Sequence, residues 1–213
     1  MYGGAQQQTD MFLLGDVGDY TDVGDLIPFA SASLVGLDIG LLLSRFAGLG
    51  GLSANAYFDT LGLEGVLATL TLLFLVFQLS RWIYTTVYMG KPWSPFVFVC
   101  ILIAIQAIHD LIFSFGVLKN IPAGKNEMVD LLKRYAVENG SRALTGHMAI
   151  LIVIGVLSMI LKESSTVFVF LVTAIAAYAL CFLLTTVGPK PPAPPPPPPK
   201  KDPFQQRLIG PQF

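Results

Sequence analysis

Long apolar runs separated by short polar intervals dominate the chain from residue 65 to residue 187. A helix needs about 20 mostly apolar residues to cross the hydrocarbon layer, because lipid offers backbone N–H and C=O groups no partner. Four segments meet that length, at 65–84, 95–118, 144–161 and 166–187, the last without a charged residue. They predict an all-α membrane protein with about four transmembrane helices in a domain spanning 65–187. Trp82, Tyr84, Tyr88 and Trp93 gather around the first connection, where amphipathic rings favour the lipid–water boundary, so a short turn is expected there. Only Lys162, Glu163, Ser164 and Ser165 divide the third and fourth spans, which predicts a tight antiparallel hairpin. On the last span Ala174, Ala177 and Cys181 recur at i, i+3 and i+7, a strip of small side chains that admits close helix approach and leaves a homo-oligomer open.

The stretch 26–43 is apolar but carries Pro28 and Asp38, and Arg45 follows closely. It reads as interfacial or re-entrant, within a segment covering 26–64. The alternative is a fifth span, which would put the two ends of the protein on opposite sides of the bilayer. With four spans, one face holds Arg45, Lys119, Lys125, Lys133, Arg134, Arg142, Lys190, Lys200, Lys201 and Arg207, and the other holds Arg81, Lys91 and Lys162. Short loops rich in Lys and Arg stay in the cytosol. The N-terminus, the middle loop and the C-terminus are therefore all expected on the cytosolic side.

The middle loop predicts one amphipathic helix over 126–139, with Asn126 as N-cap and Gly140 as the stop. Met128, Leu131, Leu132, Tyr135 and Ala136 form its apolar stripe at i, i+3, i+4, i+7 and i+8, a face suited to a membrane surface or a partner. Asp130 with Arg134, and Arg134 with Glu138, are i,i+4 pairs that support helicity and identify no ligand. Asn139, Gly140 and Ser141 spell a glycosylation sequon, which the expected cytosolic placement makes a coincidence.

Within the second apolar segment, Gln106, His109, Asp110 and Ser114 share a helical face. Ionisable groups at membrane depth are costly and therefore functional candidates. A proton or ion path is one reading. The favoured reading is a polar clasp between helices: Asp110 lies about 12 Å from the cytosolic end of its helix at ~1.5 Å per residue, a depth shared by Thr69, Thr145 and His147. Arg81 is expected near the opposite interface, where its long side chain can reach water.

The tetrapeptide Asp-Val-Gly-Asp occurs twice near the N-terminus and spaces Asp16, Asp19, Asp22 and Asp25 evenly. The full ligand pattern of a calcium loop is missing, so residues 1–25 read as an acidic, flexible, solvated arm. Residues 188–213 read as an extended proline-rich tail. Pro191, Pro192 and the run from Pro194 to Pro199 force a polyproline helix that reaches about 28 Å at ~3.1 Å per residue. Beyond it Lys200 and Lys201 precede Phe204, Leu208, Ile209 and Phe213, a short sequence able to dock in a groove. Pro196, Pro199 and Lys201 also fit a pattern read by SH3 domains, which leaves a cellular scaffold among the alternatives.

Composition removes other classes. Of 213 residues 54% are hydrophobic and 13% charged, with a mean hydropathy of +0.66, against roughly 25% charged in soluble domains. Lys and Arg (13) nearly balance Asp and Glu (14), and no basic run interleaves with aromatics, so a nucleic-acid partner is not expected. Cys100 and Cys181 fall inside apolar stretches and read as small hydrophobes. Met1 to Leu14 lack a basic start and an apolar run, so the first strongly hydrophobic helix is expected to act as the insertion signal. No catalytic constellation, cofactor motif or metal-ligand spacing occurs, and no enzyme is expected.

The stretch from Ile108 to His147, with His109-Asp110, Ile121-Pro122-Ala123-Gly124, Asn126-Glu127-Met128-Val129-Asp130 and Tyr135-Ala136, resembles a family of small multispan proteins of large algal and amoebal DNA viruses, the virion membrane proteins of the chlorella-virus type. The resemblance implies a membrane-embedded minor capsid component. Such a protein would enter a host membrane, reside in the virion's internal membrane beneath the capsid, and link lipid bilayer to major and minor capsid proteins.

Overall fold

Pro28 stands third in one unbroken helix. The computed structural model describes residues 14–88 and 90–188, and in it the stretch read as interfacial or re-entrant is α1, Leu26–Ala47. The first-turn N–H groups of a helix have no intrahelical acceptor, so a proline there removes nothing. The helix ends at Gly48, whose φ of 67° is left-handed and suits a residue without Cβ. Then follow α2 (Gly51–Leu61), α3 (Leu63–Val87), α4 (Pro95–Phe113) prolonged by a π-helical turn (Ser114–Leu118), α5 (Glu127–Asn139), α6 (Ser141–Lys162) and α7 (Thr166–Thr185). Five of these are long and apolar enough to cross a membrane: α1 with its leading turn, α3, α4 with the π turn, α6 and α7.

Local sequence sets the ends. Ser94 accepts from the Val97 amide ahead of Pro95, Ser165 accepts from the Phe168 amide, and Asn126 accepts from the Val129 amide, each supplying an acceptor to an otherwise orphan donor. Gly140, with φ 53°, separates α5 from α6.

The helix read as peripheral is central: α1 packs chiefly on α6 and α7, α3 pairs with α4, and α4 with α6. Close approach to α6 depends on Gly36, where an added Cβ would come within 2.3 Å of Ile154 Cγ1. On the α7 side, Ser31 and Thr173 hydroxyls meet at 2.6 Å. Phe29 stacks on Phe77 at 3.7 Å, and Phe98, Leu102, Leu151, Ile154 and Met159 belong to the same core. A second cluster of Leu37, Leu41, Val66, Leu180 and Leu183 fills the other half. The outer face of α7 shows Phe170, Ile175 and Tyr178, each about two-thirds exposed, as a lipid-facing helix should.

The structure differs from the sequence expectation at both ends of the chain. Residues 14–25 are not a solvated arm: Val17 and Asp25 are wholly buried, the Gly15 amide bonds to the Met159 carbonyl at 3.1 Å, and Trp93 Nε1 bonds to the Leu14 carbonyl at 2.9 Å. That segment therefore lies at the end of the bundle formed by the α3–α4 turn and the α6–α7 hairpin. The opposite end carries α2, α5 and Gly188, which sits against Asn55 of α2. The first and last described residues thus occupy opposite ends of the bundle, against the expectation that both tails emerge together. A crossing by α1 as well would reverse the N-terminal side and leave the loops' sides unchanged. The tail residues Pro194, Pro199, Lys200, Lys201, Phe204, Leu208, Ile209 and Phe213 lie outside the described residues.

Candidate functional site

At the end bearing residue 14, one buried cation organises the acidic repeat. Arg81 is 0% exposed and does not reach water as expected. Its Nη2 donates to Asp25 Oδ2 at 2.9 Å, to the Asp22 carbonyl at 2.6 Å and to the Asp19 carbonyl, while Nη1 donates to Gln78 at 2.9 Å. Lys162 completes the network through Asp22 (2.7 Å) and Asp25. The repeat explains the convergence. Asp16 and Asp22 accept from the amides of Gly18 (2.8 Å) and Gly24 (2.9 Å), and Asp19 from the amide and hydroxyl of Thr21. These side chains mimic turns, and the folded-back carbonyls of Asp19 and Asp22 face the guanidinium. The Thr21 hydroxyl holds the Asp19 carboxyl below its usual range, and the Lys162 ammonium does so for Asp22. Among the described residues no group of His, Cys, Asp or Glu is arranged to hold a metal.

In the membrane interior the predicted stripe divides. Gln106 Nε2 donates to Asp110 Oδ1 at 2.7 Å, His109 Nδ1 lies 3.2 Å from the same oxygen, and His147 Nδ1 of α6 lies 3.3 Å from Oδ2. Ser114 stays out of this cluster; it opens the π turn, and its carbonyl accepts from the Lys119 amide. Thr69 and Thr145 bond to carbonyls of their own helices, leaving His147 as the cross-helix partner. The arrangement ties α4 to α6.

Sequence reasoning did not single out a third line of polar groups. Ser31, Asp38 and Arg45 recur at seven-residue intervals on α1 and are 1%, 7% and 4% exposed. Asp38 Oδ1 has no hydrogen-bond partner among the described residues. Arg45 Nη1 lies 2.5 Å from Asp59 Oδ1 of α2, a charge contact without hydrogen-bond geometry. The seven-residue spacing was the available signal.

The end opposite residue 14 is a platform of two short helices, α2 laid against α5. Gly50 and Gly51 have φ of 90° and 71°, a left-handed turn that presents the first α2 amides to α5. Glu138 accepts from Leu52 N at 2.9 Å and Ser53 N at 2.7 Å, so an acidic side chain from one helix caps another, favoured by the helix dipole. Hydrogen bonding by Ser53 and Leu52 holds the Glu138 carboxyl below its usual range. Asn139 Nδ2 donates to the carbonyls of Gly50 (2.9 Å) and Tyr135 (3.1 Å), so the sequon's side chain is already engaged. Of the expected stripe Leu131 is buried, Met128, Leu132 and Tyr135 are half-buried and Ala136 is exposed, while Val129, outside the stripe, is buried. Tyr135 stacks on His147, joining platform to clasp. The expected i,i+4 ion pairs are replaced: Asp130 accepts from the Gly124 amide at 2.7 Å, and Glu138 serves α2.

No family model, curated protein or solved structure matches this chain.

Proposed function

We propose that this chain is a structural membrane anchor of a virion, tying an internal viral membrane to the icosahedral capsid shell. The observation that carries the reading is the α2–α5 platform at the bundle end where Gly188 packs on Asn55, so the platform and the last described residue share one side. Arg45, Lys119, Lys125, Lys133, Arg134 and Arg142 belong to that end, and Arg81, Lys91 and Lys162 to the other. This bias favours a cytosolic platform, the face on which a shell assembles. With α1 crossing as well, the last described residue, Gly188, lies on the shell side and the strapped N-terminal segment on the enclosed side. Deleting 189–213 should leave membrane insertion intact and weaken capsid association. Unchanged association would remove the tail from the mechanism.

A small ion channel or transporter is the second reading, favoured by the unpartnered carboxyl of Asp38 together with the Asp110 cluster. Ion flux in reconstituted vesicles that disappears on Asp38→Asn or Asp110→Asn would favour it over attachment.

A further inference from the structure

Between α2 and α5 runs a groove of about 480 Å³ lined by Leu52, Ser53, Lys133, Arg134, Val137 and Glu138. Covalent connection fixes its depth. Leu52 follows the end of α1 by five residues, and Val137 precedes the start of α6 by four, so the groove borders two span ends and sits at headgroup level. Val137, 87% exposed, and Leu52, 37%, offer apolar surface beside it. Its rim carries two cations, Lys133 and Arg134, against one carboxylate, Glu138, whose oxygens are turned to the α2 amides. Lys133 bonds to the Ile121 carbonyl, a neutral acceptor that leaves its charge uncompensated. Among the described residues Arg134 reaches only the Asp130 carbonyl, through Nε at 3.5 Å, and its two Nη groups face no protein acceptor there. A guanidinium beside an ammonium suits a phosphate.

We propose that this groove binds the phosphate headgroup of an anionic phospholipid, with Arg134 and Lys133 on the phosphodiester and Val137 and Leu52 against the glycerol and upper acyl chain. The inference rests on membrane insertion alone and is independent of the capsid reading. The chain's own tail is the poorer occupant, since its Lys200, Lys201 and Arg207 would meet two cations. An anionic leaflet supplies the opposite charge.

The test is native mass spectrometry of the full-length protein in detergent, with phosphatidylglycerol or phosphatidylcholine of matched acyl chains added. Wild type should retain phosphatidylglycerol in preference, and Arg134→Gln, an exposed change that leaves the fold untouched, should lower its occupancy by about fivefold. Lys133→Gln should act in the same direction, and Arg142→Gln should have no effect. Equal retention of the two lipids would overturn the proposal, as would equal sensitivity to Arg142→Gln, which would indicate diffuse attraction. Displacement by millimolar inorganic phosphate would assign the site to a soluble anion instead. Retention that appears only after removal of 189–213 would put the tail in the groove and equally overturn it.

Discussion

Arg81 and Asp25 meet 2.9 Å apart with both side chains wholly withdrawn from solvent, and through them the segment before the first helix is fastened to α3. Removing one member of such a pair strands a buried charge, whereas Lys162, 26% exposed, can turn to water. Asp25→Ala is expected to destabilise the protein by ~3–5 kcal/mol. Lys162→Ala should cost less than Asp25→Ala, since its contact with Asp22 is exposed and Asp25 keeps Arg81 as its partner. Thermal unfolding of the two variants in detergent checks the ranking; equal losses would contradict it.

Glu138 provides a pH-dependent contact outside the membrane. Its folded-state carboxyl is held below the ordinary value of 4.5 by the bonds from Ser53 and Leu52. A depressed carboxyl contributes stability that is fully present above the unfolded value and is lost as pH falls through the folded one. Protection of the Leu52 and Ser53 amides, measured relative to their intrinsic exchange rate at each pH, should therefore fall below about pH 4.5 in wild type. Glu138→Gln should raise the exchange at neutral pH and remove that acid dependence, with a cost of ~0.5–2 kcal/mol for the lost cap.

Gly36 tests whether α1 belongs in the bundle. Its Cβ position is occupied by Ile154, so Gly36→Ala should cost ~1–3 kcal/mol from overpacking. Ile154→Ala in the same chain should recover part of the loss. If the two changes simply add, as remote sites do, α1 does not pack on α6 in this way.

Asp110 and Ser114 were one stripe on paper and are two cases in three dimensions. Asp110→Ala leaves Gln106 and both imidazoles without their acceptor, an expected loss of ~1–3 kcal/mol. Ser114→Ala should stay within about 0.5 kcal/mol. Unfolding midpoints in detergent separate them, and equal effects would restore Ser114 to the clasp.

Hydrophobic runs made much of this architecture legible. The apolar segments at 65–84, 95–118, 144–161 and 166–187 lie within or almost coincide with Leu63–Val87, Pro95–Leu118, Ser141–Lys162 and Thr166–Thr185, because membrane helices advertise their length in one dimension. The first helix was hidden by three residues whose partners are distant. Pro28 is harmless only in a first turn, Asp38 is enclosed by other helices, and Arg45 meets Asp59 of α2. Counting loop charges could not detect the resulting reversal of the N-terminus, since that end carries few cations either way. Within the clasp, Gln106, His109 and Asp110 were readable from one helix. The choice of His147 over Thr69 or Thr145 depended on how α6 lies against α4. The Asp25–Arg81 pair spans 56 residues, and only the packed bundle brings it together.

The sidedness of the two ends tests the whole scheme most directly. With Cys100 and Cys181 replaced by alanine, single cysteines at Tyr20 and at Lys125 can be probed in sealed vesicles with a membrane-impermeant maleimide. Labelling of one position from outside, and of the other only after permeabilisation, is the expected result. Labelling of both from the same side would contradict a five-helix bundle that carries its platform and its strapped N-terminal segment on opposite faces of the membrane.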